Sequence, residues 1–213
     1  MSSTPAPDTA AATPPSAPAP AAVVPHAGAS GLALVYLLTA IGTTADLVSK
    51  WYVFANLPDA ETVVIPGFFG LLKSINKGAA WSIMKGQFAF FYAISVGAIA
   101  LISYFAWTAP RRSWGFQATL ALILSGVLGN LHDRVFLHGV RDFLHCWTDW
   151  PPLADRLRSW FGEMGNHWPI FNVADSFICV GAFMLLIKFW GDEKRARVEA
   201  ASAKPAPQAD PHA

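Results

Sequence analysis

Asp175 stands in WPIFNVADSFICVGAFMLLIKFW (168–190), where the run 168–187 carries no other charge. Leaving a carboxylate ionised at lipid depth costs about 3 kcal/mol or more, so it needs a partner or a purpose. A second aspartate, Asp142 in GVRDF, lies just beyond the end of an earlier apolar run. Two carboxylates brought together from separate segments have a chemistry of their own. Like charges at hydrogen-bond distance cannot both ionise, so one keeps a proton near neutral pH. The ionised partner can then take a proton from water while the protonated one polarises a peptide carbonyl. Because the proton is shared, the titration belongs to the pair. The competing use is structural, an Asp paired with Lys or Arg to lock helices together. Asp46 and Lys50, spaced i,i+4, form such a pair, and Asp133 with Arg134 could form another.

The elements that must position these groups follow from composition. Of 213 residues, 54% are apolar and 14% charged, against about 25% charged in ordinary soluble domains. Such a chain lacks the charge to cover a soluble surface and reads as a membrane protein. Four runs are long enough to cross a bilayer: 31–53, 87–108, 114–137 and 169–190. An even number of spans puts both ends of the chain on one side. Asp46 and Lys50, then Asn130, Asp133 and Arg134, then Asn172 and Asp175 all fall at the opposite, outer end of their spans. At 1.5 Å per residue these groups lie within about two turns of one interface.

The connections add detail. The stretch 54–86 contains TVVIPGFFGLLKSIN, whose β-branched and aromatic residues with Pro and Gly punctuation predict a small outer sheet. In 143–168, Leu153, Leu157, Trp160, Phe161 and Met164 recur at helical spacing, a short amphipathic helix over 151–164 lying at the interface. Trp147, Trp150, Trp160 and Trp168 suit headgroup depth. The expected fold is therefore an all-α membrane protein of four transmembrane helices, with a small outer-face β-sheet and a short interfacial helix. Residues 1–30, rich in Ala and Pro, and 191–213 read as disordered tails around a 31–190 membrane domain. The first tail lacks the basic n-region of a secretory signal. Lys and Arg number seven on each side of the membrane, so the count does not orient the chain. Compact placement of Arg111, Arg112 and the basic tail favours the inner side as cytoplasmic.

Net charge of +1 and the lack of a basic, aromatic-interleaved stripe argue against nucleic-acid binding. Cys146 and Cys179 form no CxxC motif, and the scattered histidines lack metal-ligand spacing, so neither metal nor cofactor is expected.

NKGAAW (76–81), GVLGNLHDRV (126–135), VRDF (140–143) and FNVADS (171–176), strung on four spans with DLVSK (46–50) in the first, closely resemble lipoprotein signal peptidase, or signal peptidase II. The resemblance covers about residues 31–190. It implies an aspartic endopeptidase of the bacterial inner membrane, multi-pass, with both termini cytoplasmic and its site near the periplasmic face. Its substrate would be a diacylglyceryl-modified prolipoprotein, cut just before the lipid-bearing cysteine. The family's catalytic aspartates fall on Asp142 and Asp175. Its supporting residues fall on Asp46, Lys50, Asn76, Asn130, Arg134 and Asn172, with Gly126 giving close approach, and inhibition by the cyclic peptide globomycin would follow. One departure is the Asp142–Asp175 interval, longer than is usual in that family. Two other classes frame the reading. A proton-coupled transporter needs polar groups through the full membrane depth, whereas spans two and three are apolar through their inner halves. A helix scaffold would tolerate Asp→Asn at both positions.

Overall fold

The computed structural model describes residues 25–78, 88–110, 113–163 and 165–202. Five helices and three strands follow in the order α1 (Gly28–Asn56), β1 (Thr62–Ile65), β2 (Phe69–Asn76), α2 (Phe88–Thr108), α3 (Trp114–Leu137), β3 (Val140–Cys146), α4 (Pro151–Phe161) and α5 (Val173–Ser202). Helices α1, α2, α3 and α5 are long and apolar enough to cross a membrane.

The sequence of α1 shows why it packs on one side only. Its buried residues, Gly31, Val35, Thr39, Asp46, Lys50 and Val53, recur at three- and four-residue steps and so form one stripe. The opposite faces of the spans carry exposed Leu37, Ile41, Val96, Phe183 and Leu186, as lipid contact requires. Helix α3 is the most buried of the four spans. Val35, Ile102, Ala106, Leu120, Ala121 and Leu124 form the apolar core near its first half. Small residues let the backbones close in: a Cβ on Gly42 would lie 2.4 Å from Ser125 Oγ, and one on Gly181 would lie 2.5 Å from Ile123 Cγ1.

The start of α1 meets the α2–α3 turn, with Ala27 N–H donating to Ala109 O at 2.8 Å. Lys188, late in α5, stands 5.2 Å over the Phe116 ring, early in α3. Both ends of the bundle's chain thus lie on one side, as four spans require. Asp46, Lys50, Asn130, Asp133, Asn172 and Asp175 gather at the other.

The sheet there is antiparallel in the order β1-β2-β3. Ile65–Phe68 turns between β1 and β2, with Pro66 followed by Gly67 at φ 74° and Phe68 N–H donating to Ile65 O. The expected sheet within 54–86 supplies only two of the three strands. The third, β3, comes from the second excursion and pairs Asp142 with Ser74.

Helix α4 starts on Pro151 and ends at Gly162, whose φ of 86° and N–H bond to Arg158 O stop it three residues short of the expected 164. Met164 lies outside the described residues. Helix α1 begins at Gly28 rather than 31. Helix α5 continues through 191–202, where a disordered tail was expected. GDEKRARVEAAS is rich in helix formers, and Lys188–Asp192 and Arg197–Glu193 pair at i,i+4. Residues 1–24 and 203–213 of the expected tails lie outside the described residues.

Candidate active site

The polar end of the bundle is built around Lys50, which is fully buried on α1. Its three ammonium protons face three oxygens: Asp46 Oδ2 at 2.8 Å, Asn130 Oδ1 at 3.1 Å and Asp133 Oδ2 at 3.6 Å. The Asp46 contact is an ion pair between groups four residues apart on α1. Asp133 also receives the Arg141 fork, Nη2 to Oδ1 at 2.7 Å and Nε to Oδ2 at 3.1 Å. Arg141 N–H adds a third bond to Oδ2 at 3.0 Å, so this carboxylate ties β3 to α3 one residue from Asp142. Asp46 and Asp133 are thereby neutralised by cations.

The start of α5 is a capping box. Asn172 Oδ1 accepts from Asp175 N–H at 3.0 Å, and Asp175 Oδ2 accepts from Asn172 N–H at 3.2 Å. Asp46 reaches across from α1 to accept Ala174 N–H at 2.8 Å, meeting a helix donor that no residue within α5 can serve. The Asn172 amide then joins both aspartates, because its Nδ2 donates to Asp142 Oδ1 at 2.6 Å and to Asn130 Oδ1 at 3.1 Å. Asn130 Nδ2 donates to Asp175 Oδ1 at 2.8 Å.

Strand β3 turns Asp142 inward, 2% exposed. Burial, and next the charge of Asp175, push its carboxyl from 3.8 up to about 7, against the pull of hydrogen bonds from Asn172 and Asn76. At this end of the bundle the cation-paired aspartates are Asp46 and Asp133, whereas neither Asp142 nor Asp175 makes an ion pair with a Lys or Arg among the described residues. Both line a cavity of about 490 Å³, together with Asn76, Asn130, Arg134 and apolar residues such as Phe171 and Ile178. Arg134 lies 4.5 Å over the Phe91 ring and donates to Gly78 O at 3.3 Å, holding the segment after β2. Asn76 Oδ1 accepts Gly78 N–H at 2.9 Å in the same segment.

Asp142, Asp175, Asn76, Asn130 and Arg134 thus converge on one cavity, with Asn172, Asp46 and Lys50 buried behind it. Gly126 sits beneath: a Cβ there would come within 2.3 Å of Ala174 O, so it sets the approach of α3 to α5 rather than lining the cavity. Asp133 does not pair with Arg134, which points elsewhere; its partner is Arg141, which the sequence reading passed over. Gly129 was also missed. A Cβ on it would lie 2.3 Å from Asp46 Oδ2, and its four-residue spacing from Ser125 is the small-residue signal that marks close helix packing.

The family model for signal peptidase (SPase) II matches residues 38–191. A lipoprotein signal peptidase of Bacillus pumilus is 36% identical over 164 residues, covering 76% of this chain and 96% of its own. That of Listeria welshimeri is 35% identical over the same length, and that of Bacillus subtilis 32% identical over 169 residues, 99% of its own chain. A solved bacterial membrane enzyme superposes with a TM-score of 0.60 at 26% identity, covering 84% of this chain and 95% of the other.

Proposed function

The chain belongs to the signal peptidase II family, and on that premise we propose that Asp142 and Asp175 are the catalytic pair with which it cuts its substrate. It is a membrane aspartic peptidase that removes signal peptides from prolipoproteins in lipoprotein maturation. One observation carries the assignment. Of four aspartates at the outer end of the bundle, Asp46 and Asp133 are neutralised by Lys50 and Arg141, whereas Asp142 and Asp175 share a cavity and a bridging amide and make no ion pair among the described residues.

The chemistry follows from their surroundings. Asp142, pushed up to about 7, holds the shared proton at neutral pH. Asp175 accepts from two N–H donors and serves as the ionised base. It takes a proton from water as the water oxygen attacks the scissile carbonyl carbon. Asp142 gives its proton to the carbonyl oxygen. Collapse of the tetrahedral intermediate returns that proton and passes the other to the leaving amine. Asn172 and Asn130 fix the carboxylates, Asn76 holds Asp142 and the segment beside it, and Arg134 keeps that segment in place. Asp46 and Lys50 anchor α5 and α3 to α1, and Gly126 lets α5 approach.

The substrate carries diacylglycerol on the cysteine that follows the cut, and globomycin occupies the same cavity. Both termini are cytoplasmic, the site faces the periplasmic side of the bacterial inner membrane, and the segments before α1 and after α5 are accessory. Purified protein in detergent should release the signal peptide from a diacylglyceryl-modified prolipoprotein and not from the same chain lacking the lipid. Failure to release it from the modified substrate overturns this reading.

A further inference from the structure

A second cavity, of about 800 Å³, lies between α4 and the end of β3. Its back wall is a short ribbon in which residues 166–171 run antiparallel to 144–148. Trp168 N–H donates to Cys146 O at 2.8 Å, and Phe171 N–H to Leu144 O at 3.0 Å. The two cavities share Trp168, Pro169 and Ile170, so one strip of chain borders both.

The floor is polar in a specific way. Glu61 Oε1 lies 2.5 Å from His145 Nδ1, and His145 Nε2 lies 3.0 Å from His167 Nδ1. A carboxylate accepts, so His145 carries its proton on Nδ1 and, when neutral, offers Nε2 as the acceptor. When charged, His145 donates from Nε2 instead; either way one hydrogen bond joins the two rings and leaves His167 Nε2 outside it. The two rings stack at 17°, with Trp147 over His167 at 16°. Burial, and next the charge of His145, hold the His167 imidazole below its ordinary value, with Asp149 and Glu61 opposing and Arg158 assisting. It is therefore neutral at neutral pH. The opposite wall is apolar, half-buried Leu157 and exposed Phe161 on α4.

We propose that this cavity is a subsite for the substrate segment that follows the scissile bond, holding an apolar side chain against Leu157, Phe161 and Trp168 while His167 Nε2 hydrogen-bonds the substrate backbone. The inference rests on the catalytic reading of Asp142 and Asp175. A signal peptide is an apolar stretch and belongs in lipid beside the spans, so the chain beyond the cut leaves the catalytic cavity on its extramembrane side. There the shared strip 168–170 leads into the second cavity. An acyl chain is the poorer occupant, because His145, Asn166 and His167 would lose hydration without gaining a partner.

The test compares two diacylglyceryl-modified substrates, one ending at the modified cysteine as an amide and one carrying about six further residues. The purified full chain should show a KM about tenfold lower for the longer substrate, the worth of one good hydrogen bond with some apolar burial. His167→Ala should bring the two KM values to within about twofold, with kcat carrying little of the effect. Phe161→Ala, which removes an exposed side chain and does not threaten folding, should shrink the difference in the same direction. Equal KM values in the unmodified protein overturn the subsite alone, as does a full tenfold difference surviving in both variants; that pattern would fit a cavity filled by lipid. Cleavage of neither substrate overturns the catalytic reading and this one with it.

Discussion

Asp142→Asn should make the protein more stable as pH rises while leaving it unable to cut. Asp142 is 2% exposed, and its carboxyl is pushed from 3.8 to about 7. A raised carboxyl pKa means that folding favours the protonated form. Stability is therefore lost with rising pH, beginning near pH 4, where the unfolded chain ionises, and levelling off above the folded value. With about 1.4 kcal/mol per pKa unit, the loss is about 2 kcal/mol at pH 5 and about 4 kcal/mol at pH 8. Asparagine has no such titration. It keeps the acceptor that meets Asn172 Nδ2 but loses the second carboxylate oxygen, a pH-independent cost of about 1 kcal/mol. The stability of Asp142→Asn relative to the unmodified protein should thus rise by about 2–3 kcal/mol between pH 5 and pH 8. In a chain of this size that is about 5–10 °C in Tm. Thermal unfolding of both proteins in the same detergent, at the two pH values, measures it directly. A Tm difference that stays constant, or moves the other way, would mean that Asp142 is an ionised, cation-stabilised carboxylate and would refute the reasoning.

Other consequences follow from the same geometry. Cleavage should fall above about pH 7, approaching tenfold per pH unit as Asp142 loses its proton; a kcat/KM profile flat to pH 9 contradicts this. Lys50→Met leaves Asp46 buried without its cation and should cost about 3–5 kcal/mol, read as lower Tm and folded yield. Gly126→Ala drives a methyl against Ala174 O and must push α5 away from α3, so kcat should drop about a hundredfold with the protein still folded. Removing 1–24 and 203–213 should leave cleavage within about twofold, since every residue proposed for the site lies between Asp46 and Asp175.

The spans were legible because twenty apolar residues in a row have few other uses, and the polar depth was legible because helix rise converts sequence position into height. What escaped was pairing across distance. Neighbouring helix residues point about 100° apart, so Asp133 and Arg134 could not face each other; the fork came from Arg141, on a strand that follows the helix. That strand, VRDFLHC, gives little sign of joining a sheet whose other members lie more than sixty residues earlier, because β pairing is set by partners and not by local preference. The capping box in FNVAD stays hidden in the sequence, because its reciprocal bonds appear only once the helix start is fixed at Val173. Glu61, His145 and His167 are far apart in the chain, and no spacing announces them.

The catalytic pair is tested most directly by cleavage of a diacylglyceryl-modified prolipoprotein with purified Asp142→Asn, Asp175→Asn and the double variant. Each single change keeps the side chain's size and an acceptor oxygen, so all three proteins should remain inserted and folded. Both singles should lose cleavage, and the double should be no worse than either, because one shared proton is the unit that acts. Substantial cleavage by Asp175→Asn, or losses in the two singles that multiply in the double, would contradict the assignment.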